Sequence, residues 1–416
     1  MSKKSISLFS CSGFGDLGLH SAGFETLCAC EIIPERANLM QQNFPDTNVM
    51  IGDIWSMQDE IVRYTQSRLV PGQSLDLLLA SPPCQSFSSN GMGRMSAAIK
   101  KGTRNSSDPR SCLIIPAINV CERLLPRVII IENVPNMRYG FIMNEFEESE
   151  NILDLIYRRL PQYTFRSQVV NVADYGVPQV RKRLITIGIL DNLTSVERVA
   201  DFYTDKNSPF HPAPMYGPST DQSHVTLRQC IHHLPELDAQ SKLQDEEDIF
   251  HRIPSWNDVQ YFCMSETPEN NTAFCNSKCV QCGHITENLS RVSCDECSAF
   301  LPRPMIKKED GWRIIKAFKT SYRRMSWDRP SNALTTNSGV ISSDVKGHPE
   351  QHRVLSLREI MIVSSVCGYP GMTPNWTYKF PPNKDKLIRE VLGECIPPLL
   401  TYTIVKNVWD NILLGQ

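Results

Sequence analysis

The stretch Ile6-Ser7-Leu8-Phe9-Ser10-Cys11-Ser12-Gly13-Phe14-Gly15-Asp16-Leu17-Gly18 decides the fold. Ile6 to Phe9 reads as a short strand, the glycines as a turn, and Leu17 to Ala22 as an amphipathic helix. Glycines placed between a strand and a helix let the backbone approach a nucleotide-like ligand closely; a plain glycine-rich turn is the other reading. Outward from it, Leu27-Cys28-Ala29-Cys30 is a second strand ended by Glu31, and Ala37 to Asn43 a helix. Leu75 to Ala80, Arg127 to Ile131 and Leu184 to Leu190 read as further strands, separated by helical patterns at Leu113 to Leu125 and Ile152 to Leu160. Strands alternating with helices predict an α/β fold with a doubly wound, mostly parallel, Rossmann-like sheet. The uninterrupted apolar run Val128-Ile129-Ile130-Ile131 fits a sheet covered on both faces.

At 416 residues the chain is long enough for two domains. A net charge of -2 excludes a globally basic nucleic-acid binder, so any such surface must be local. Met1-Ser2-Lys3-Lys4 runs into the first strand without a secretory apolar region, and no stretch is apolar enough to span a bilayer. A cytoplasmic protein with no membrane partner is expected. In that compartment fifteen cysteines point to thiol chemistry or metal binding, not disulfides. From about 190 to 329 the chain turns rich in Pro, His, Asn and Ser and loses periodicity, which predicts a smaller, irregular second module. Helical pattern returns at Leu355 to Val366 and Leu387 to Ile412.

Three segments carry chemistry on strand ends. Pro82-Pro83-Cys84-Gln85 closes the strand Leu77 to Ala80, where open α/β sheets bind their ligands, and two prolines hold a nucleophilic sulfur in one direction. Glu132 in Glu132-Asn133-Val134 places a half-buried carboxyl at another strand end, suited to donate a proton or a hydrogen bond. Gln179, Arg181 and Arg183 share one face of an incoming strand by period two. Glu31 ends the second strand near the spacing at which a carboxylate meets ribose hydroxyls, and Asp53 after the third would suit an adenine amino group. A solvated turn is the plain reading of Asp53.

Cys279-Val280-Gln281-Cys282 and Cys294-Asp295-Glu296-Cys297 form two knuckles with the spacing of a small zinc ribbon. Cys279, Cys282, Cys294 and Cys297 would close a tetrahedral structural zinc site, with Cys275 and His284 in reserve; reduced free cysteines are the alternative. Lys307, Lys308, Arg313, Lys316, Lys319, Arg323 and Arg324, interleaved with Trp312, Phe318, Tyr322 and Trp327, form the most basic stretch of the chain. That composition suits phosphate and base contact; a solvated basic face is the bland reading.

The order of these blocks resembles the cytosine carbon-5 DNA methyltransferase family. It runs from Phe9 to Phe24 through Pro-Pro-Cys-Gln, Glu-Asn-Val and Gln-x-Arg-x-Arg to Arg329-Pro330-Ser331-Asn332-Ala333-Leu334-Thr335-Thr336, Arg353 to Glu359, Gly368-Tyr369-Pro370 and Gly393-Glu394-Cys395-Ile396-Pro397-Pro398. The resemblance implies that S-adenosylmethionine is held by Phe9, Ser10, Cys11, Gly13, Gly15, Glu31, Ile32, Asp53, Ile54, Pro83, Leu113 and Cys395. It implies catalysis by Cys84, Glu132, Arg183 and Arg181 on a cytosine flipped out of duplex DNA. Ser89 to Ser107, with Gly91, Gly93, Arg94, Lys100, Lys101 and Arg104, matches the family's mobile DNA-closing loop.

The implied organisation is a cofactor-binding catalytic domain over 1–190 completed by 385–416. A target-recognition domain over 191–350 carries the zinc-ribbon-like insertion at about 275–297, and 351–384 connects. A monomer is implied, with a cognate restriction endonuclease as a further partner. Two positions depart from the pattern: Cys11 replaces a glycine, and Glu394 stands where the family has asparagine. A tRNA cytosine methyltransferase and a catalytically silent DNA-binding regulator of the same fold remain open beside the enzyme reading.

Overall fold

Ser5 and Ser7 are as deeply buried as Ile6 and Leu8, which puts the strand β1 (Lys3–Leu8) under cover on both faces. In the computed structural model, which describes residues 2–83, 112–144, 146, 148–204, 207–316 and 320–413, β1 lies centrally in an eight-stranded sheet. Its other strands are β2 (Phe24–Glu31), β3 (Asn48–Ile51), β4 (Leu77–Ala80), β5 (Val128–Asn133), β6 (Tyr163–Asn171), β7 (Lys182–Leu190) and β8 (Tyr203–Thr204). The order across the sheet is β8-β6-β7-β5-β4-β1-β2-β3. From β3 to β5 all neighbours are parallel; β7 runs antiparallel to both β5 and β6. The expected mostly parallel α/β sheet is therefore present, with one reversed strand. The strand order changes direction between β1 and β4, the switch point where such sheets open a crevice at their carboxyl edge.

Helices α1 (Phe14–Ser21), α2 (Pro34–Asn43), α3 (Ile54–Arg68), α4 (Ile114–Leu124) and α5 (Ile152–Arg159) connect the strands. Residues such as Ile61 of α3, Ile118 of α4 and Leu155 of α5 join Leu78, Ile129 and Ile131 of the sheet in one apolar core. Gly18 of α1 is required by close approach: a Cβ there would lie 2.3 Å from the Pro398 carbonyl oxygen. The helix Pro398–Asn407 thus packs its backbone directly on α1.

The chain divides into two compact units. Met1–Tyr175, Arg181–Thr220 and Cys395–Gln416 make the first; Gly176–Val180 and Asp221–Glu394 make the second. These bounds differ from the expected ones for a physical reason. Residues 191–220 supply β8, preceded by Phe202 whose carbonyl accepts from the Ser167 N–H, and His211, held between Ser208 Oγ at 2.6 Å and the Ile185 carbonyl at 2.9 Å. That stretch belongs to the sheet unit.

The second unit has little regular structure, so its buried carbonyls need other donors. Three fully buried arginines supply them. Arg324 donates to the carbonyls of Thr267, Met264, His348 and Gln351. Arg303 donates to those of Asn276, Thr286, Asn288 and Arg291. Arg353 grips Glu359 with two bonds of 2.6 and 2.8 Å, and that guanidinium outweighs burial to hold the Glu359 carboxyl at about 2. Glu359 also closes the capping box of the helix Leu357–Val363. A separate apolar cluster around Trp256, Cys263, Met264 and Tyr322 forms this unit's core.

Candidate active site

Leu8, Ala80, Ile131 and Thr186 are register partners across β1, β4, β5 and β7. Neighbouring strands lie about 4.8 Å apart, so whatever follows these residues at the carboxyl edge forms one row. β7 is reversed, and its beginning, not its end, reaches that edge. This explains why Arg183 lies at the beginning of its strand while Glu132 lies inside the end of its own, one residue later than the apolar run suggests. Arg183 Nε sits 2.7 Å from Glu132 Oε1, with both side chains mostly buried. Arg181 and Gln179 are buried while Val180 and Lys182 are exposed, the alternation expected from period two. Arg181 is fixed through its N–H to Asn171 Oδ1 at 3.1 Å.

Beside this pair, Asn133 Nδ2 donates to the Pro82 carbonyl at 3.0 Å. That bond ties the end of β5 to the Pro-Pro exit of β4 and was not singled out from sequence. Cys84 and the loop from Ser89 to Ser107 lie outside the described residues; Pro83, half-buried, is the last residue described before them.

On the other side of β4, three alternate residues of the loop after β1 adopt left-handed backbone: Phe9 (φ 57°), Cys11 (φ 51°) and Gly13 (φ 76°). Cys11 therefore keeps the conformation that glycine takes most easily, at a cost of order 1 kcal/mol. The Cys11 and Ile33 N–H groups donate to the two oxygens of Glu31 at 3.0 and 2.8 Å. Burial pushes the Glu31 carboxyl up, opposed by those backbone bonds. Each carboxylate oxygen has a second lone pair for a ligand hydroxyl. Ser10 is held through Oγ to the Cys30 carbonyl at 3.3 Å.

Ile32 is 60% exposed, and Ile51 and Trp55 are exposed as well, a row of bare apolar side chains at the carboxyl ends of β2 and β3. Ile51 and Trp55 were not foreseen; nothing in their local pattern distinguishes them from surface residues. Asp53 Oδ1 accepts from the Trp55 N–H at 3.0 Å and caps α3, while Ile54 is buried in the core. Leu113 is half-buried against that core, Gly15 packs against Leu79, and Cys395 is buried.

In the second unit the four sulfurs of Cys279, Cys282, Cys294 and Cys297 lie within 4.8 Å of one another. The two knuckles repeat one geometry. Cys279 N–H donates to the His284 carbonyl and Gly283 N–H to the Cys279 carbonyl; Cys294 donates to Ala299 and Ser298 to Cys294 in the same way. Gly283 and Ser298, each following its second cysteine, both take left-handed backbone at φ 78° and 61°. The Cys297 N–H lowers the Cys294 thiol to about 6. Among the described residues, Leu301 and Ala299 alone pack with these cysteines as apolar neighbours. Cys275 is exposed and outside the cluster.

Among the described residues no helix is long and apolar enough to cross a membrane. A family model described as C-5 cytosine-specific DNA methylase matches residues 3–410. The chain is 29% identical over 420 residues to the Type II methyltransferase M1.HgaI of Avibacterium volantium, spanning 98% of each protein. It is 26% identical to M1.HphI of Haemophilus parahaemolyticus over 98% of this chain and 87% of that one. Among solved structures, an E. coli prophage protein assigned as a DNA modification methyltransferase superposes with a TM-score of 0.60 at 19% identity, over 98% of this chain and 99% of the other. A DNMT2 variant of Spodoptera frugiperda gives 0.58 at 15% identity, over 98% and 100%. With a sheet whose carboxyl edge gathers a glycine loop, a Pro-Pro exit and a carboxylate–guanidinium pair, and with nearly its whole length matched, the chain belongs to the C-5 cytosine-specific DNA methylase family and is a DNA cytosine-C5 methyltransferase.

Proposed function

We propose that this enzyme methylates one cytosine within a specific duplex sequence through a covalent adduct at Cys84, as the modification arm of a restriction-modification pair. The observation that carries the residue assignment is the Glu132–Arg183 pair at the sheet edge, beside the Pro82-Pro83 exit that leads into Cys84. The target base has to leave the duplex, since its ring edge is unreachable while stacked. The Cys84 thiolate adds to ring carbon 6, and the electron pair moves to carbon 5. Glu132 hydrogen-bonds ring nitrogen 3 and the exocyclic amine, while Arg183, with Arg181, holds the carbonyl oxygen. After methylation the proton on carbon 5 leaves to a base, and Cys84 is expelled as carbon 6 regains its double bond.

S-adenosylmethionine, when bound, supplies the electrophilic methyl that carbon 5 takes. The chain's residues fit it. Glu31 offers fixed carboxylate lone pairs to ribose hydroxyls and Ile32 with Ile51 and Trp55 an apolar seat for adenine, while Gly13 and Gly15 let the loop pack closely on Phe44, Met40 and Leu79. Asp53 has one oxygen committed to its helix cap and the other available to the adenine amine. Ile54 and Cys395, both buried, act by shaping the pocket wall.

The four knuckle cysteines suit a structural zinc, because the set is closed and the module has almost no apolar core of its own. A cognate endonuclease is the partner this modification implies, and the enzyme acts as a monomer. Incubation with a duplex carrying 5-fluorocytosine tests the mechanism: a denaturation-stable adduct, absent from Cys84→Ala, is expected. Methylation of tRNA with none of duplex DNA would overturn the reading.

A further inference from the structure

The strands β9 (Met305–Lys308) and β10 (Gly311–Ile314) form a two-stranded antiparallel ribbon two residues beyond Arg303. Ile306 pairs with Arg313 and Lys307 with Trp312, so the two pairs lie on opposite faces. Yet Ile306, Lys307, Lys308, Trp312 and Arg313 are all exposed. A two-stranded ribbon bare on both faces is marginal in water by itself. This one is fastened at its base. Met305 is buried, Ile315 packs on the core of the second unit, and Trp312 meets Phe300 of the second knuckle edge to face at 5.5 Å. Arg303 binds four carbonyls between Asn276 and Arg291, locking the cysteine module to the start of the ribbon.

Charge separates the two parts. From 305 to 316 the cations are Lys307, Lys308, Arg313 and Lys316, against Glu309 and Asp310 confined to the turn. From 277 to 300, Lys278 and Arg291 face Glu287, Asp295 and Glu296, and Arg291 is already paired with Asp295 at 2.8 Å. Four thiolates around a divalent ion would add further negative charge, so the module repels phosphate.

We propose that the β9–β10 ribbon enters the major groove of the target duplex and that the four-cysteine module is its mount, not a DNA contact; this rests on the duplex-DNA reading above. The major groove admits a two-stranded ribbon. The Trp312 face leans on Phe300, which leaves the Ile306–Arg313 face for base edges. Arg313 reads a guanine through its two acceptors, and Ile306 meets a thymine methyl. Lys307, Lys308 and Lys316 flank the groove at phosphates. Glu309 and Asp310 at the turn stay away from phosphates and can accept from cytosine amines on the groove floor.

The test uses full-length wild type, Arg313→Ala, and the double variant Lys307→Ala with Lys308→Ala, all changes at exposed positions. Readouts are duplex affinity against salt, the set of methylated cytosines in sequenced DNA, and adduct formation on a 5-fluorocytosine duplex. Arg313→Ala should relax the sequence at one guanine, cutting discrimination there by about 5- to 100-fold. The double lysine variant should keep the sequence and lower the slope of log affinity on log salt by about 2. Wild-type sequence preference in the first and an unchanged slope in the second, with the adduct still formed, would overturn this proposal alone. No adduct with wild type would overturn the duplex reading beneath it.

Discussion

Arg183 Nε donates to Glu132 Oε1 across 2.7 Å, joining the start of an antiparallel strand to the end of its parallel neighbour. Each is the other's partner before any base arrives, so the two are expected to act as one unit. Glu132→Gln and Arg183→Ala should each lower the single-turnover methylation rate by about 10²- to 10³-fold while leaving S-adenosylhomocysteine affinity within about twofold. The double variant should be little worse than the weaker single one. Fully multiplicative losses would show independent roles.

Cys84→Ala should abolish methyl transfer without changing cofactor affinity or melting temperature. Isothermal titration with S-adenosylhomocysteine, alongside trapping on the fluorinated duplex, checks this. Retained turnover would remove Cys84 from the mechanism.

Stripping metal with a strong chelator, or replacing Cys294 with Ser, should raise protease sensitivity within 275–316 and weaken duplex binding by about tenfold or more. The residues proposed to hold the cofactor lie in the other compact unit, so its affinity should be unaffected. Metal analysis of the purified protein should give one zinc per chain. A metal-free protein with unchanged proteolysis would refute the structural-zinc assignment.

Asp16 lies buried in the first turn of α1, accepting from Thr26 Oγ1 at 3.1 Å. Burial raises its carboxyl from 3.8 to about 6. A carboxyl that binds protons more tightly when folded loses stability as pH rises from about 4 to about 6. Above that window the folded state carries a buried charge. Asp16→Asn should therefore raise the melting temperature by a few degrees at pH 8 and have no such benefit at pH 4. Thermal melts of both proteins across that range check it, and a gain independent of pH would place the effect elsewhere.

The central strands were readable because their side chains are apolar without interruption, as in Leu77 to Ala80 and Val128 to Ile131. β6 was not. Its buried Thr164 and Ser167 look like surface residues in sequence, but they are satisfied at 2.8 Å by Asp191 and Thr186. The knuckle spacing announced the cysteine cluster, whereas Arg303 was not singled out and Arg324, read as part of a basic stretch suited to phosphate contact, is instead buried on backbone carbonyls. Their burial depends on carbonyls drawn from distant segments, which no local pattern records. The same holds for Asn133 and Pro82: the bond is long-range, and only the sheet register brings it about.

Gly18 of the cofactor-side helix presses on the backbone of Pro398 to Tyr402, nearly four hundred residues later. On the ribosome, the first two hundred residues must therefore wait with one flank of α1 bare while the entire second unit is made. A nascent or truncated chain without Pro398–Asn407 lacks the surface that covers this flank of α1. The packing that completes the first unit therefore becomes available only after residues 221–394 have been synthesised.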